Sequence, residues 1–419
     1  MNRAGTRGLE PFRWLGAQRS RLREGVRGQV VNLSGSLPPW TRTRRARQAN
    51  RWIVRLAVVL FLYALPSMRL PLLNTPDSDF ATVLFFPVGI YVLLAMGLNV
   101  VVGEAGLLDL GYVAFFAIGA YTMAILGTDI GPGWSFPEIL PVAIAIAMIA
   151  GVVLGTPTLR LRGDYLAIVT LGFGEIVRIT AVNTDSIGGP RGISNIPHPP
   201  NIGNVHFGLL DPKPYYWLLL TLAIVAVLLL RRLQRSRVGR AWTAIREDED
   251  AAALMGVPVF KFKLWAFAIG AGFGGLGGSL YASKVTFINP NTFTLILSIL
   301  ILSAVVLGGS GNVAGVIVGA IVVGYLPERF RNFEEYRVLV FGAALVVMMI
   351  FRPQGLIPSR QRAAELETGS SAGGLGSLGA EVAGEVTTVS PEATPSASGT
   401  ATTTTSTTST TKPGGAADA

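Results

Sequence analysis

The 419-residue chain has no cysteine, which excludes disulfides, thiol nucleophiles and cysteine-ligated metal sites. Histidine is nearly as scarce. His198 and His206 share one Pro/Asn-rich stretch without further ligand residues, and read as solvated side chains rather than a zinc site. Charge is short too, at 14% of residues against 50% apolar; a soluble chain usually carries more charge and breaks its apolar runs sooner. The phosphate-loop pattern Gly-x4-Gly-Lys-[Ser/Thr] is missing, so ATP hydrolysis is not expected of this chain itself. A signal peptide is not expected either, because the first long apolar run begins only at Trp52 and is interrupted by Arg55.

What is there is a series of apolar runs, each near the ~18 residues that cross a ~30 Å hydrocarbon core as a helix. Ten are candidates: Trp52 to Met68, Ala81 to Val102, Tyr112 to Leu126, Ile139 to Leu159, Tyr165 to Ile179, Tyr215 to Leu230, Leu264 to Leu280, Phe293 to Leu307, Val313 to Leu326 and Tyr336 to Phe351. The shorter ones are tilted spans or re-entrant half-helices, so the fold expected is an all-α polytopic bundle of about 8 to 10 segments. A basic arm (1–51) precedes this transmembrane region (52–360), and a Gly/Ala/Ser/Thr-rich tail (361–419), too poor in apolar residues to fold, follows it.

Positive charge accumulates on the cytoplasmic side of membrane proteins. The first 51 residues hold twelve Arg against two Glu, which puts the N-terminus inside. Six spans return the polar stretch 231–263 to the cytoplasm, and four more leave the C-terminus there. Pro327 to Arg337, expected outside, gives no clear vote, with three Arg matched by three Glu. The net charge of +10 follows from these loops and the arm; anionic lipid headgroups account for it, and nucleic acid is not an expected partner.

The stretch 231–263 contains eight Lys/Arg and the run Arg246-Glu-Asp-Glu-Asp250. A helix opening at Arg240 and stopped by Gly256 and Pro258 would set Trp242, Ile245, Ala252 and Met255 near one face. Such a stripe suits a groove on a soluble partner, or else an amphipathic loop with none. Gly272-Phe-Gly-Gly-Leu-Gly277 matches a dinucleotide fingerprint but lies in an apolar run with no acidic residue from Ala251 to Pro327. Gly270, Gly274 and Gly278, like Gly311, Gly315 and Gly319, instead recur every four residues as helix-packing faces.

Ionisable groups within or beside spans need a reason, because a charge at the bilayer centre costs at least ~2.5 kcal/mol. Glu104 and Asp109 sit among Gly103, Gly106 and Gly111 in a segment that is either a broken helix lining a pathway or a cytoplasmic turn. Arg160-Leu-Arg-Gly-Asp164 reads as an interfacial turn. Glu175 and Arg178, three residues apart, can pair on one helix face.

Longer blocks carry a resemblance. Gly97-Leu-Asn-Val-Val-Val-Gly103, Gly106-Leu-Leu-Asp-Leu-Gly-Tyr-Val-Ala-Phe115, Leu159-Arg-Leu-Arg-Gly-Asp-Tyr-Leu-Ala-Ile-Val-Thr-Leu-Gly-Phe-Gly-Glu-Ile176, Gly188-Gly-Pro-Arg-Gly-Ile-Ser-Asn195 and Arg352-Pro-Gln-Gly-Leu-Ile-Pro358 resemble the LivM-type permease of branched-chain amino acid ABC importers. Ala251-Ala252-x3-Gly256 looks like the coupling signature of ABC importer permeases. The resemblance implies a multi-pass prokaryotic cell-membrane protein with a LivH-type second permease, two ATP-binding subunits that carry ATP and Mg, and an extracytoplasmic solute-binding protein. It implies no cofactor on this chain. Arg240, Trp242, Arg246, Glu247, Asp250, Ala251, Ala252 and Gly256 are then the expected ATPase-coupling residues; Glu104, Gly106, Asp109, Gly111 and Glu175 are the pathway candidates. Urea, amides or other amino acids are alternative substrates, and a proton- or sodium-driven secondary transporter using the carboxylates as relay is the rival mechanism.

Overall fold

A computed structural model describes residues 53, 56–67, 80–161, 163–201, 203, 205–208, 211–329, 342, 343, 346 and 355–357. The basic arm, the Thr-rich tail and most of the expected Tyr336 to Phe351 span lie outside the described residues, as do Trp52, Arg55 and Met68 at the first span.

The described chain is helical. We number α1 Leu56–Ser67 and α2 Phe80–Glu104, α3 Val113–Gly127, α4 Phe136–Thr158, α5 Asp164–Asn183 and α6 Pro212–Gln234. Two short helices follow, α7 Arg237–Glu247 and α8 Glu249–Leu254. Then come α9 Val259–Val285, α10 Leu295–Gly308 and α11 Val313–Arg329. Among the described residues, six helices are long and apolar enough to cross a membrane. These are α2, α4, α5, α6, α9 and the stretch Pro290–Gly308 that contains α10. Several exceed the expected runs because their ends are polar: α6 continues through Arg231 and Arg232 to Gln234, and α9 starts at Val259. The polar stretch 231–263 therefore contributes its two ends to spans.

Helix α9 is the central post, packed on α4, α3 and α2. Its glycines make this possible. A side-chain carbon on Gly270 would meet Val101 and the Gly97 carbonyl, one on Gly274 would meet Phe115, and one on Gly278 would strike the Phe116 backbone. Small residues let helix backbones approach where hydrophobic burial gives little drive in lipid. Gly315 and Gly308 do the same between α10 and α11, whereas Gly311 of the expected face sits in the turn before α11 at φ +85°; the pseudo-fingerprint at Gly272 lies inside α9, not at a strand's end. Two short strands, β1 Ile193–Ser194 and β2 Phe287–Ile288, pair antiparallel (Ile193 with Ile288) and tie the 184–211 connection to the end of α9.

Three spans are interrupted. In α2 the helix breaks at Phe86, which takes extended angles (φ −136°, ψ 127°) just before Pro87, a residue that has no N–H to give and crowds the preceding turn. The same span ends in π-type turns from Val100 to Glu104, a geometry often found where a helix serves a purpose besides spanning. Helices α3 and α10, at 15 and 14 residues, are only ~21–22 Å long at 1.5 Å per residue. The Val113 N–H at the start of α3 donates to Ser298 Oγ of α10 at 2.9 Å. Interrupted backbone is tolerated in a membrane where protein satisfies it, and the Ser298 hydroxyl of α10 does so for the start of α3.

Candidate functional site

Asp248 splits the expected Arg240 to Gly256 helix in two. Its backbone is extended, and its carboxylate accepts from the N–H groups of Asp250 and Ala251 at 2.9 Å each. This is N-cap chemistry, and it starts α8 where an unbroken helix was expected. Ser236 caps α7 in the same way, accepting from Val238 and Gly239. The result is a compact two-helix handle.

The expected apolar stripe loses one member: Trp242, Ile245 and Ala252 are buried together, while Met255 stands away from them. Trp242 is 1% exposed, and Ile245 and Ala252 are buried, all against this subunit's own membrane helices; Trp242 Nε1 donates to the Phe262 carbonyl at the head of α9 at 2.7 Å. Trp242 and Ala252 are thus anchors of the handle rather than surface contacts. On the far side stand Leu254 and Met255, 89% and 84% exposed, the largest exposures among the exposed large apolar residues. Arg240, Glu247, Asp250, Ala251 and Gly256 are exposed around them. Gly256 adopts φ +81°, a left-handed turn that only glycine takes cheaply, and it sends the chain back to α9.

Two polar contacts tie the handle to the spans, through Arg246 and Glu249, and two more join the spans beside it. Arg246 reaches inward, donating from Nη1 to the Gly103 carbonyl at 2.5 Å, rather than standing on the rim. Gln234 donates to Glu104 Oε1 at 2.5 Å. Glu249 pairs with Lys263 at 2.5 Å, and that lysine is 5% exposed. Asn99 Oδ1 in α2 accepts from the Gly311 N–H at 2.8 Å, which brings the Gly309–Gly311 turn between α10 and α11 to the same place. Handle, π-type end of α2 and α10–α11 turn therefore meet around Gly103. The Gly106 backbone lies against the Arg246 side chain. A cavity of about 340 Å³ opens here, lined by residues 105–108, Leu166, Arg246, Glu249 and Lys263 among others.

The pathway candidates do not converge. Glu104 is engaged by Gln234. Asp109 is fully buried: Oδ1 accepts from Gly111 N–H at 2.9 Å, while Oδ2 has no hydrogen-bond partner. Gly111 passes so close to the Thr170 carbonyl of α5 that no side chain fits. Glu175 lies away from this contact. Its neighbour Gly174 faces Gly111, whereas Glu175 points outward and is paired with Arg178, which bonds both carboxylate oxygens. The segment 105–112 is irregular; Ala105, Leu107, Asp109, Gly111 and Tyr112 are buried, and Gly106 and Leu108 are exposed.

At the opposite end, Tyr215 donates to the Ser283 carbonyl at 2.9 Å and meets His198 Nδ1 at 2.5 Å. With its own proton committed, Tyr215 accepts from His198, which fixes the neutral ring with its proton on Nδ1. Partial burial, and then the Lys284 charge, hold His198 below its ordinary pKa. His198 is thus a structural ring rather than the solvated side chain expected. Gln234, Lys263 and Asn99 were not singled out by sequence reasoning; the signal was there for Asn99, a lone amide inside an apolar run.

A helical bundle with six helices long and apolar enough to cross a membrane among the described residues, and a polar two-helix handle, is the architecture of a multi-pass membrane protein. Residues 81–349 match the family described as branched-chain amino acid transport system / permease component, and the chain belongs to that family. It is 44% identical over 305 residues to the high-affinity branched-chain amino acid transport system permease protein LivM of Escherichia coli K12, covering 68% of this chain and 71% of that one. The probable branched-chain amino acid transport permease protein LivM of Methanocaldococcus jannaschii is 30% identical over 53% of this chain and 69% of its own length. A second permease protein of the same-named system in Escherichia coli K12, LivH, is 29% identical over 34% of this chain and 46% of its own. No solved structure matches the chain.

Proposed function

We propose that this chain is one of two permease subunits of a binding-protein-dependent ABC importer that moves branched-chain amino acids inward across a prokaryotic cell membrane, energised by ATP on separate subunits. The observation that carries the reading is the handle: a pair of short helices that presents Leu254 and Met255 outward and is bonded inward to α2 and α9. Large exposed apolar side chains flanked by charges fit a groove on a soluble partner, and the partner is an ATP-binding subunit on the cytoplasmic side. Both termini share that side. Arg240, Glu247 and Asp250 are the rim charges that set register, while Ala251 and Gly256 leave room for close docking.

Movement of the ATPase pair acts on the handle as a rigid body, because Trp242 and Glu249 hold it to the head of α9 and Arg246 holds it to the end of α2. A rigid lever at the π-type end of α2 is the kind of two-state element that access switching needs. An extracytoplasmic binding protein delivers substrate to the end that holds β1, β2 and the 184–211 connection. Tagged chain expressed with its neighbouring genes' products should bring down a second permease and an ATPase. Recovery of the chain without any ATPase, under conditions that preserve leucine uptake, overturns the assignment.

A further inference from the structure

The outer face of α5 carries a charge pair inside its apolar span, with Glu175 near the middle and Arg178 about 8 Å from the Asn183 end. The span Tyr165–Asn183 has 19 residues, and Glu175 is about 15 Å from one end and ~12 Å from the other at 1.5 Å per residue. Glu175 and Arg178 nevertheless remain 43% and 27% exposed. They share a stripe with Tyr165, Ile168, Gly172, Ile176 and Ile179, spaced three and four apart, whose large members are exposed. The buried stripe is a different one, through Leu166, Ala167, Thr170, Gly174 and Ala181. On α4, which packs on α5, the large exposed residues about 15–20 Å from its Phe136 end are aliphatic, Ile146 and Ile149. Among the described residues, no other exposed charge stands this far from a span's ends.

We infer that this α5 face packs against the second permease subunit. The inference rests on the function proposed above. Hydrocarbon is excluded as the neighbour, since an ionised pair facing lipid inside the span has nothing to solvate its remaining hydrogen-bonding capacity. The neighbour must be membrane-embedded and able to supply polar groups at that depth. A second chain of the same family meets both needs, and in Escherichia coli K12 the same-named system has two permease proteins, both similar to this chain. Gly172 adds a notch: a side-chain carbon built there meets nothing within 4 Å, so the stripe has a gap at mid-span that a partner's side chain can fill, as at small-residue helix contacts.

The absence of cysteine makes the test clean. Single variants Gly172→Cys and Ile176→Cys on α5, with Val225→Cys and Leu228→Cys on α6 as lipid-facing references, are labelled with an environment-sensitive fluorophore. Quenching by brominated phospholipid is read for the chain alone and for the assembled complex. Assembly should cut quenching at the α5 positions by about threefold or more and leave the α6 positions unchanged. As a second readout, Gly172→Trp should lower recovery of the second permease by about fivefold or more without lowering the yield of the chain alone. Quenching at α5 equal to that at α6 in a verified complex overturns the inference and spares the function. Strong quenching by aqueous iodide at α5 in that complex overturns it too, in favour of a water-lined face. If the unlabelled wild-type chain recruits no second permease, the functional reading falls first and takes this inference with it.

Discussion

Replacing Arg246 tests the lever at its narrowest point. The guanidinium donates to the Gly103 carbonyl in the π-type turn that closes α2, and Gly103 is also against the Asn99–Gly311 contact. A hydrogen bond from a charged donor contributes about 1.5–3 kcal/mol. If that energy holds the handle to α2 during the switch, losing it weakens coupling by about 10- to 150-fold at ~1.4 kcal/mol per factor of ten. Arg246→Ala should therefore keep assembly and ATP hydrolysis while leucine transported per ATP falls by at least about tenfold. Arg246→Lys, which keeps charge and one donor, should recover part of it. Trp242 and Glu249 still anchor the handle in both variants, so the fold survives. Proteoliposomes holding the whole complex and its binding protein give both rates from one sample. Unchanged transport per ATP in an assembled Arg246→Ala complex would refute the reasoning.

Three further outcomes are expected. Leu254→Asp with Met255→Asp should reduce recovery of the ATP-binding subunit by about tenfold or more, since buried apolar anchors dominate interfaces, while the chain's melting temperature stays put because both side chains are exposed. Glu249→Gln strands the Lys263 ammonium in a buried site and should cost about 2–3 kcal/mol, below the value for a fully buried pair because Glu249 is one-third exposed, read as a fall of several degrees in thermal unfolding. His198 has its folded pKa lowered by burial and by Lys284, so the unfolded chain binds protons that the folded chain does not as pH falls below about 6.5. Stability should therefore decline through that acidic window, and His198→Gln should flatten the decline in melting curves taken between about pH 5 and 7.

Apolar run length and glycine spacing made most of the bundle legible, since spans and their close contacts both follow from composition along a helix. The helix ends were less so: Arg231, Arg232 and Gln234 extend α6 past its apolar run, because a polar side chain at the interface does not stop a helix. The handle was located correctly but its facing was not. The turn at Asp248 depends on a capping bond that competes with helix continuation, and an acidic run offers several equivalent caps. Arg246 read as a rim charge because nothing in the sequence reveals that the Gly103 carbonyl, 143 positions away, lies within its reach. Glu175 and Arg178 were legible as a pair from their spacing alone. Their outward direction required the contact of Gly174 with Gly111, which no local pattern encodes.

The central claim is that transport through this chain is driven by ATP on another subunit through the handle. The measurement that bears on it most directly is leucine uptake by proteoliposomes containing the chain, its second permease, ATPases and binding protein, with ion gradients abolished by ionophores. The account predicts uptake that requires ATP inside the cytoplasmic-facing compartment and continues without any gradient. Uptake that persists without ATP and collapses with the proton or sodium gradient would contradict it.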